Sequence, residues 1–346
     1  MRDVEPASPA EAGDGHAVYA EQALFATSPF NLWLTSALLY AAMIGAYGLA
    51  ALVDRAPWLM REGPGAMLDY RARLALVLPL IICSNLGLQR FSRLGEVADA
   101  PAFARALRPG VRWQPEFPMQ RLRWFTLVGV VVGLAIVAIA SSQGASAIPS
   151  RPATFVWFCV TSSLLGALFF RGLVLTRAGA RHTRQVIEED LQIDLLRIEL
   201  LYPWGRSAVR TSLVWFTVCA SALLLFVSTG MTLFTIVTLV ACAVMGLWVF
   251  VGTMSQMHRQ IRIAKTAELD SLRTEITVTK DRLAADPAAA PRLQSLLAYE
   301  ARIAAAPEWP VDQTMLVRVG VSSLILTVPW FGQAFAGMVV THLGPH

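Results

Sequence analysis

Apolar runs long enough to cross a bilayer recur six times along this chain, at 31–53, 72–89, 122–141, 154–176, 209–228 and 231–253, each closed by a polar or charged connection. A helix needs about 20 such residues to traverse the hydrocarbon layer, so each run predicts one transmembrane helix. A further apolar run over 314–341 predicts a seventh, with a re-entrant or surface-lying helix as the alternative. Arg318 stands near its start, where a long side chain snorkels to the interface, and Pro329 predicts a kink. Short connections join the six runs into three hairpins, and long connections separate the hairpins.

The long connections carry their own patterns. Loop 90–121 contains Pro101, Pro109, Pro115 and Pro118, which predict short interfacial helices rather than one long one. In loop 177–208, Ile187, Leu191, Leu195 and Ile198 recur at helical spacing. Ile261, Ala264, Leu269, Leu272 and Ile276 do the same in a segment that leaves the sixth run without a break, until Pro287 ends it. Residues 292–305 predict a second short helix, and the two together a helical hairpin. With His182 laid on His258, an offset of 76 residues, six of nineteen positions agree, so 182–200 reads as a fainter copy of 258–276. The copies are expected to pack together, with Leu272 against Leu196. Lys265 with Glu268, and Asp270 with Arg273, are neighbours on the helix surface. Asp312, after Glu308-Trp309-Pro310, is placed to cap the seventh helix.

The fold class expected is therefore all-α: a polytopic membrane protein of three transmembrane hairpins plus a seventh carboxyl-terminal helix, with cytoplasmic helical extensions. Residues 1–29, polar and acidic with no signal-peptide pattern, read as a mobile tail. Residues 30–253 form the six-helix region with loops 90–121 and 177–208. Residues 254–312 form the helical hairpin, and 313–346 the last membrane helix.

Composition agrees with that picture: 55% of the 346 residues are hydrophobic and 15% charged. The formal charge of +5 would suggest nucleic acid in a soluble protein, but here the basic residues flank apolar runs. Loops 89–121, 177–208 and 254–312 are rich in them and the alternate connections poor, so the former face the cytoplasm, as does the amino terminus. Only Lys265 and Lys280 are lysines among 29 basic residues, a bias that points to a GC-rich bacterium and its inner membrane. The expected partners are the lipid bilayer, further copies of the chain and a cytoplasmic protein, not nucleic acid. Trp33, Trp124, Trp157 and Trp215 sit near run ends as interface anchors. Cys83, Cys159, Cys219 and Cys242 lie inside apolar runs without paired spacing and read as packing residues.

Candidate chemistry is sparse. Ser84 and Asn85, with Thr161, Ser162 and Ser163, are the polar groups that would line a path through the second and fourth runs; the simpler alternative has the hydroxyls bonding back to their own helix. Arg171, His182, Glu189, His258, Lys265 and Arg318 are candidates for cytoplasmic interaction. His182 and Glu189 share a helix face but lack a third ligand, so no metal site is expected. Gly129-x-x-x-Gly133 and Ala41-x-x-x-Gly45 allow close helix approach. Catalytic, phosphate-binding and dinucleotide-binding motifs are absent, so no catalytic residue and no cofactor is assigned.

The pattern H-x-x-I-R-x-A-K-x-x-E-L from His258 to Leu269, followed by Glu308-Trp309-Pro310-x-Asp312, is similar to one found in a group of bacterial multipass inner-membrane proteins, over residues 170 to 345. The resemblance implies a membrane protein and carries no activity. The function expected is a non-enzymatic, oligomeric scaffold, sensor or gating component acting through its cytoplasmic helices. The alternatives are a channel or passive facilitator and, third, a membrane-embedded lipid-modifying enzyme using His182, Glu189, His258 and Arg318.

Overall fold

Asn31 opens the first long helix, its side-chain oxygen accepting from the Leu34 amide at 2.8 Å and so satisfying one of the orphan donors of the first turn. This helix, α1 (Leu32–Val53), is followed by α2 (Tyr70–Ala106), α3 (Met119–Ser142), α4 (Pro152–Glu189), α5 (Tyr202–Leu223), α6 (Leu233–Leu283) and α7 (Ala290–Ala304). A two-residue antiparallel ladder, Arg61–Glu62 with Met67–Leu68, lies between α1 and α2. The computed structural model describes residues 24–25, 27–56, 61–62, 67–68, 70–109, 111, 119–142, 151–224, 233–283 and 286–309. Arg318, Asp312 and the seventh apolar run lie outside the described residues.

Among the described residues, four helices are long and apolar enough to cross a membrane: Leu32–Val53, Arg71–Ala106, Met119–Ile139 and Pro152–Glu189. Leu49, Leu52 and Val53 of α1, and Val131, Ile136 and Ile139 of α3, point outward. Such contiguous apolar surface is stable in lipid and a liability in water. The fifth and sixth runs are helical too over their described residues 209–223 and 233–253, within α5 and α6.

α3 and α4 form the closest pair. A β-carbon on Gly129 or Gly133 would overlap the carbonyls of Gly166 or Ser162, and one on Gly166 would overlap the Gly129 carbonyl. The small-residue motif is therefore spent inside the protomer, where dispersion between backbones replaces the hydrophobic drive that lipid does not supply. At the opposite end α1 closes with the two backbone bonds of a Schellman motif, Ala56 to Ala51 and Arg55 to Leu52, which places Arg55 at φ 51°, in the left-handed region. Asp54 then joins α1 to α4. Its carboxylate accepts from the Ala153 and Thr154 amides at 3.1 and 2.7 Å and from the Thr154 hydroxyl at 2.7 Å, capping the amino terminus of α4. Desolvation opposes ionisation of Asp54, but these bonds and the charge of Arg151 outweigh it and hold the carboxyl below its ordinary value.

The largest core lies at the other, basic end. Phe103, Ala106 and Leu107, then Val186 and Ile187, Leu201, Trp204 and Ala208, and Met254, Met257 and Ile261 bury into one cluster drawn from four helices and their connections. Each large apolar side chain fully buried there contributes about 1.5–3 kcal/mol. Beyond the helix ends the backbone continues the contact: Gln192 donates to the Ala106 carbonyl at 2.9 Å and Arg108 to that of Asp190 at 3.0 Å.

Three expectations are corrected. Residues 90–106 are not broken at Pro101: α2 runs through both Pro79 and Pro101. Asp99, Phe103 and Ala106, buried on either side of Pro101, hold the helix together across it, since tertiary packing supplies most helix stability. The copy of 258–276 is not a helix throughout, because α4 ends at Glu189 and a 3₁₀ turn occupies Ile198–Leu201. Leu196 is 48% exposed while Leu272 is buried, so they do not pair; the copies meet instead where Val186, Ile187 and Ile261 share one buried cluster, with Leu191, Ile193 and Leu195 packed against it. Trp33 and Trp124 face outward, but Trp157 and Trp215 are buried, their indole N–H groups donating to the Met43 carbonyl at 3.2 Å and the Thr176 hydroxyl at 3.3 Å. An indole with a partner on a neighbouring helix has no need of the headgroup layer. Phe25, ahead of α1, packs on Ile82 and Leu86.

Candidate functional site

A cavity of about 190 Å³ opens where α2, α4, α5 and α6 converge at the basic end. An apolar cavity of roughly 150 Å³ holds a molecule the size of benzene, so this one has room for a small ligand. Its floor is aromatic and aliphatic: Leu168, Phe169, Leu175, Trp204, Val214 and Trp215. Its rim is polar, with Asn85, Gln89, Ser92, Arg93 and Glu96 from α2, His182 and Thr183 from α4, and Ser207 and Thr211 from α5. Thr253 is the contribution of α6. The heptad-like step Asn85, Gln89, Ser92, Glu96 places one face of α2 on the cavity. On that face Gln89 donates to Asn85 at 2.5 Å and Arg93 to Glu96 at 2.7 Å. Gly179 also lines the space, and a β-carbon there would meet nothing within 4 Å.

Behind the cavity, Asp99 ties α2 to α5. It accepts from Arg206 at 2.6 Å and from Arg210 at 2.5 Å, the two arginines standing one turn apart on a single face of α5. Gly95, one turn before Asp99, makes room: a β-carbon would overlap the Arg210 guanidinium. The side chains of Asp99 and Arg210 keep only 12% and 15% of their exposure, so this is a largely buried, charge-assisted pair, with Arg206 reaching in from a more open position.

Just past the cavity, α6 is clasped by the chain that returns from α7. His258 and Lys265, two turns apart on α6, share a face. The His258 ring stacks on Trp309 with centroids 4.3 Å apart and planes at 12°, while Nδ1 lies 3.0 Å from the Glu308 carbonyl. A carbonyl only accepts, so Nδ1 carries the proton in this contact. Lys265 Nζ donates to the Ala306 carbonyl at 2.9 Å and stands 3.6 Å from the Glu308 carboxylate. The ammonium thereby meets the negative end of α7, which closes at Ala305. Farther along, Tyr299 with Glu268, Arg273 with Glu300 and Arg292 with Glu275 zip α6 to α7.

The residues singled out from sequence thus part company. Asn85 and His182 line the cavity, and His258 and Lys265 form the clasp. Ser84 donates to the Ile81 carbonyl at 3.2 Å and Thr161 to that of Trp157 at 2.8 Å, each within its own helix. Ser162 lies at the glycine crossing with α3, and Ser162 and Ser163 are both half-buried. Arg171 is half-buried on α4. Glu189 is exposed and accepts from Gln185, and Glu188 pairs with Arg184. Among the described residues no three His, Cys, Asp or Glu side chains gather as a metal set would require. Asp99 with its arginines was missed; the available signal was the step Arg206, Arg210 opposite Gly95, Asp99, a pair of i, i+4 faces of matching sense.

This much defines the class: among the described residues, a helical protein with one two-residue ladder and four apolar helices of membrane-crossing length, with a cavity and a helical clasp at its basic end. The chain matches no protein-family model, and it matches neither a curated protein nor a solved structure.

Proposed function

We propose that this chain is a non-enzymatic, multipass protein of a bacterial inner membrane, a sensor or gating component that reports occupancy of the cavity to its cytoplasmic hairpin. The observation that carries the reading is α6. At 51 residues it is about 75 Å long, more than twice the hydrocarbon thickness, and it passes without interruption from an apolar run, past Thr253 at the cavity, to the hairpin. Met254, Met257 and Ile261 lock that same stretch into the basic-end core. A displacement of the α6 wall at Thr253 is therefore carried rigidly to His258, about one and a half turns on, and to Lys265, a little over three turns on. The excess of arginine on this side supports a cytoplasmic placement of the hairpin and of the amino terminus. Outward-facing apolar surface on α1 and α3 is available to lipid or to further copies of the chain in a homo-oligomer.

The test uses the full chain in lipid nanodiscs, with spin labels at the exposed positions Arg105 and Gln294 in a background whose native cysteines are replaced. Gly179→Leu fills the cavity from a position with open space around it. The distance distribution between the labels shifts or narrows in the filled protein if cavity and hairpin are coupled. Superimposable distributions sink the sensor reading.

A further inference from the structure

We infer that the basic end of the α3–α4 hairpin is a binding surface for the headgroups of anionic phospholipids. From residue 119 to residue 187 the chain holds seven arginines and no Asp, Glu or Lys. Arg151 is at the far end of the hairpin; the other six cluster at the end where the cavity opens. The antiparallel register follows from the crossing, with Gly129 on Gly166, Gly133 on Ser162, and Leu122 packed by Val174 and Leu175. That register sets Arg121 and Arg123 of α3 level with the turn before Arg177 of α4, and Arg181 one turn beyond. All four are exposed. Among the described residues none of them enters an ion pair, whereas Arg206 and Arg210 are matched by Asp99, Arg93 by Glu96, Arg184 by Glu188 and Lys265 by Glu308. No carboxylate among the described residues supplies the counter-charge for the four.

What stands next to them decides which anion. Trp124, 65% exposed, and Phe125 follow Arg123 directly, and Phe169 lies on α4 two turns from Arg177. Beyond the aromatic residues α3 continues as exposed aliphatic surface at Leu127 and Val131. Guanidinium, then aromatic ring, then aliphatic chain is the order of phosphate, interface and acyl chain in a lipid leaflet. A soluble phosphate would use the arginines alone and leave the aromatic and aliphatic steps without purpose.

The experiment is native mass spectrometry of the purified full chain with an equimolar mixture of phosphatidylglycerol and phosphatidylcholine of identical acyl chains. Each arginine near a headgroup layer favours anionic lipid by about fivefold. The quadruple variant R121Q/R123Q/R177Q/R181Q is expected to lose at least about tenfold of the preference for phosphatidylglycerol. R259Q/R262Q/K280Q/R282Q, which removes equal charge from exposed positions on α6, retains it. The lysine counterpart R121K/R123K/R177K/R181K also retains it, and the four single glutamine variants each lose a part, so the outcome stands even if the quadruple glutamine chain does not fold. An unchanged preference in R121Q/R123Q/R177Q/R181Q, an equal loss in the α6 variant, or displacement of the bound lipid by millimolar inorganic phosphate would overturn the inference.

Discussion

Replacing Asp99 by Ala is the sharpest perturbation of the basic end. The substitution leaves Arg210, whose side chain is only 15% exposed, without the carboxylate that it meets at 2.5 Å, and Arg206 without a partner at 2.6 Å. Stranding one member of a buried pair costs about 3–5 kcal/mol, because the desolvation of the remaining charge is no longer offset. Arg206 is 43% exposed and returns to water, so its share is at most about 1 kcal/mol. Arg210 is not wholly enclosed, and the low end, about 3 kcal/mol, is the expected loss. For a chain of this size that corresponds to a fall of roughly 5 °C in the unfolding midpoint. Replacing Asp99 by Leu and Arg210 by Met together removes both charges and is expected to recover most of it, giving a coupling of about 2 kcal/mol or more between the two sites. Thermal unfolding in detergent, followed by tryptophan fluorescence, reads Asp99→Ala and the four corners of the cycle built from Asp99→Leu and Arg210→Met. A midpoint for Asp99→Ala within about 1 °C of the parent, or strict additivity in the double variant, would refute the assignment of a buried pair that joins α2 to α5.

Three further outcomes follow from the geometry. Arg55 holds a left-handed conformation at the end of α1, so Arg55→Gly is expected to stabilise the chain by up to about 1 kcal/mol, read as a raised midpoint; a lowered one contradicts the Schellman assignment. Asp54 has a folded-state pKa held below its ordinary value, so its contribution is present above that ordinary value and is lost as pH falls through the folded one. Asp54→Asn is accordingly less stable than the parent near neutral pH, and melting curves of the two converge in acid below about pH 4, whereas a gap that is constant with pH removes the cap from the account. Gly166→Leu forces a side chain into the Gly129 carbonyl and is expected to separate α3 from α4, seen as loss of a cysteine cross-link engineered across the crossing; a cross-link of unchanged yield contradicts the close approach.

The periodicity of the chain made the helices legible, and the hairpin of α6 and α7 with them, because Pro287 and the Ala-rich turn before 292 are local signals. Long-range contacts were not legible. Pro101 argues for a break on local grounds, yet Asp99 and Phe103 are fastened on both sides of it by residues roughly a hundred positions away. The partial repeat at 182–200 has the letters of a helix but sits where α4 turns to meet α5. Ile187 is buried at 2% while its counterpart Ile263 is half exposed, so equal letters occupy unequal surroundings. The indoles of Trp157 and Trp215 were placed at the interface because sequence shows where a tryptophan stands along a run and not which neighbour accepts its proton. His258 and Lys265, together with Glu308 and Trp309, were visible as two separate patterns fifty residues apart. Only the fold shows that the two patterns are the halves of one contact.

Coupling between cavity and clasp is reciprocal. Hydrogen–deuterium exchange on the full chain in nanodiscs tests it in both directions: His258→Ala, which removes the stack on Trp309, and Gly179→Leu, which fills the cavity. His258→Ala is expected to alter exchange of the α4 amides over 172–183, along the cavity, and Gly179→Leu to alter exchange over 258–268 and 299–309. Changes confined in each variant to the neighbourhood of the substituted residue would contradict a rigid α6 that links the two.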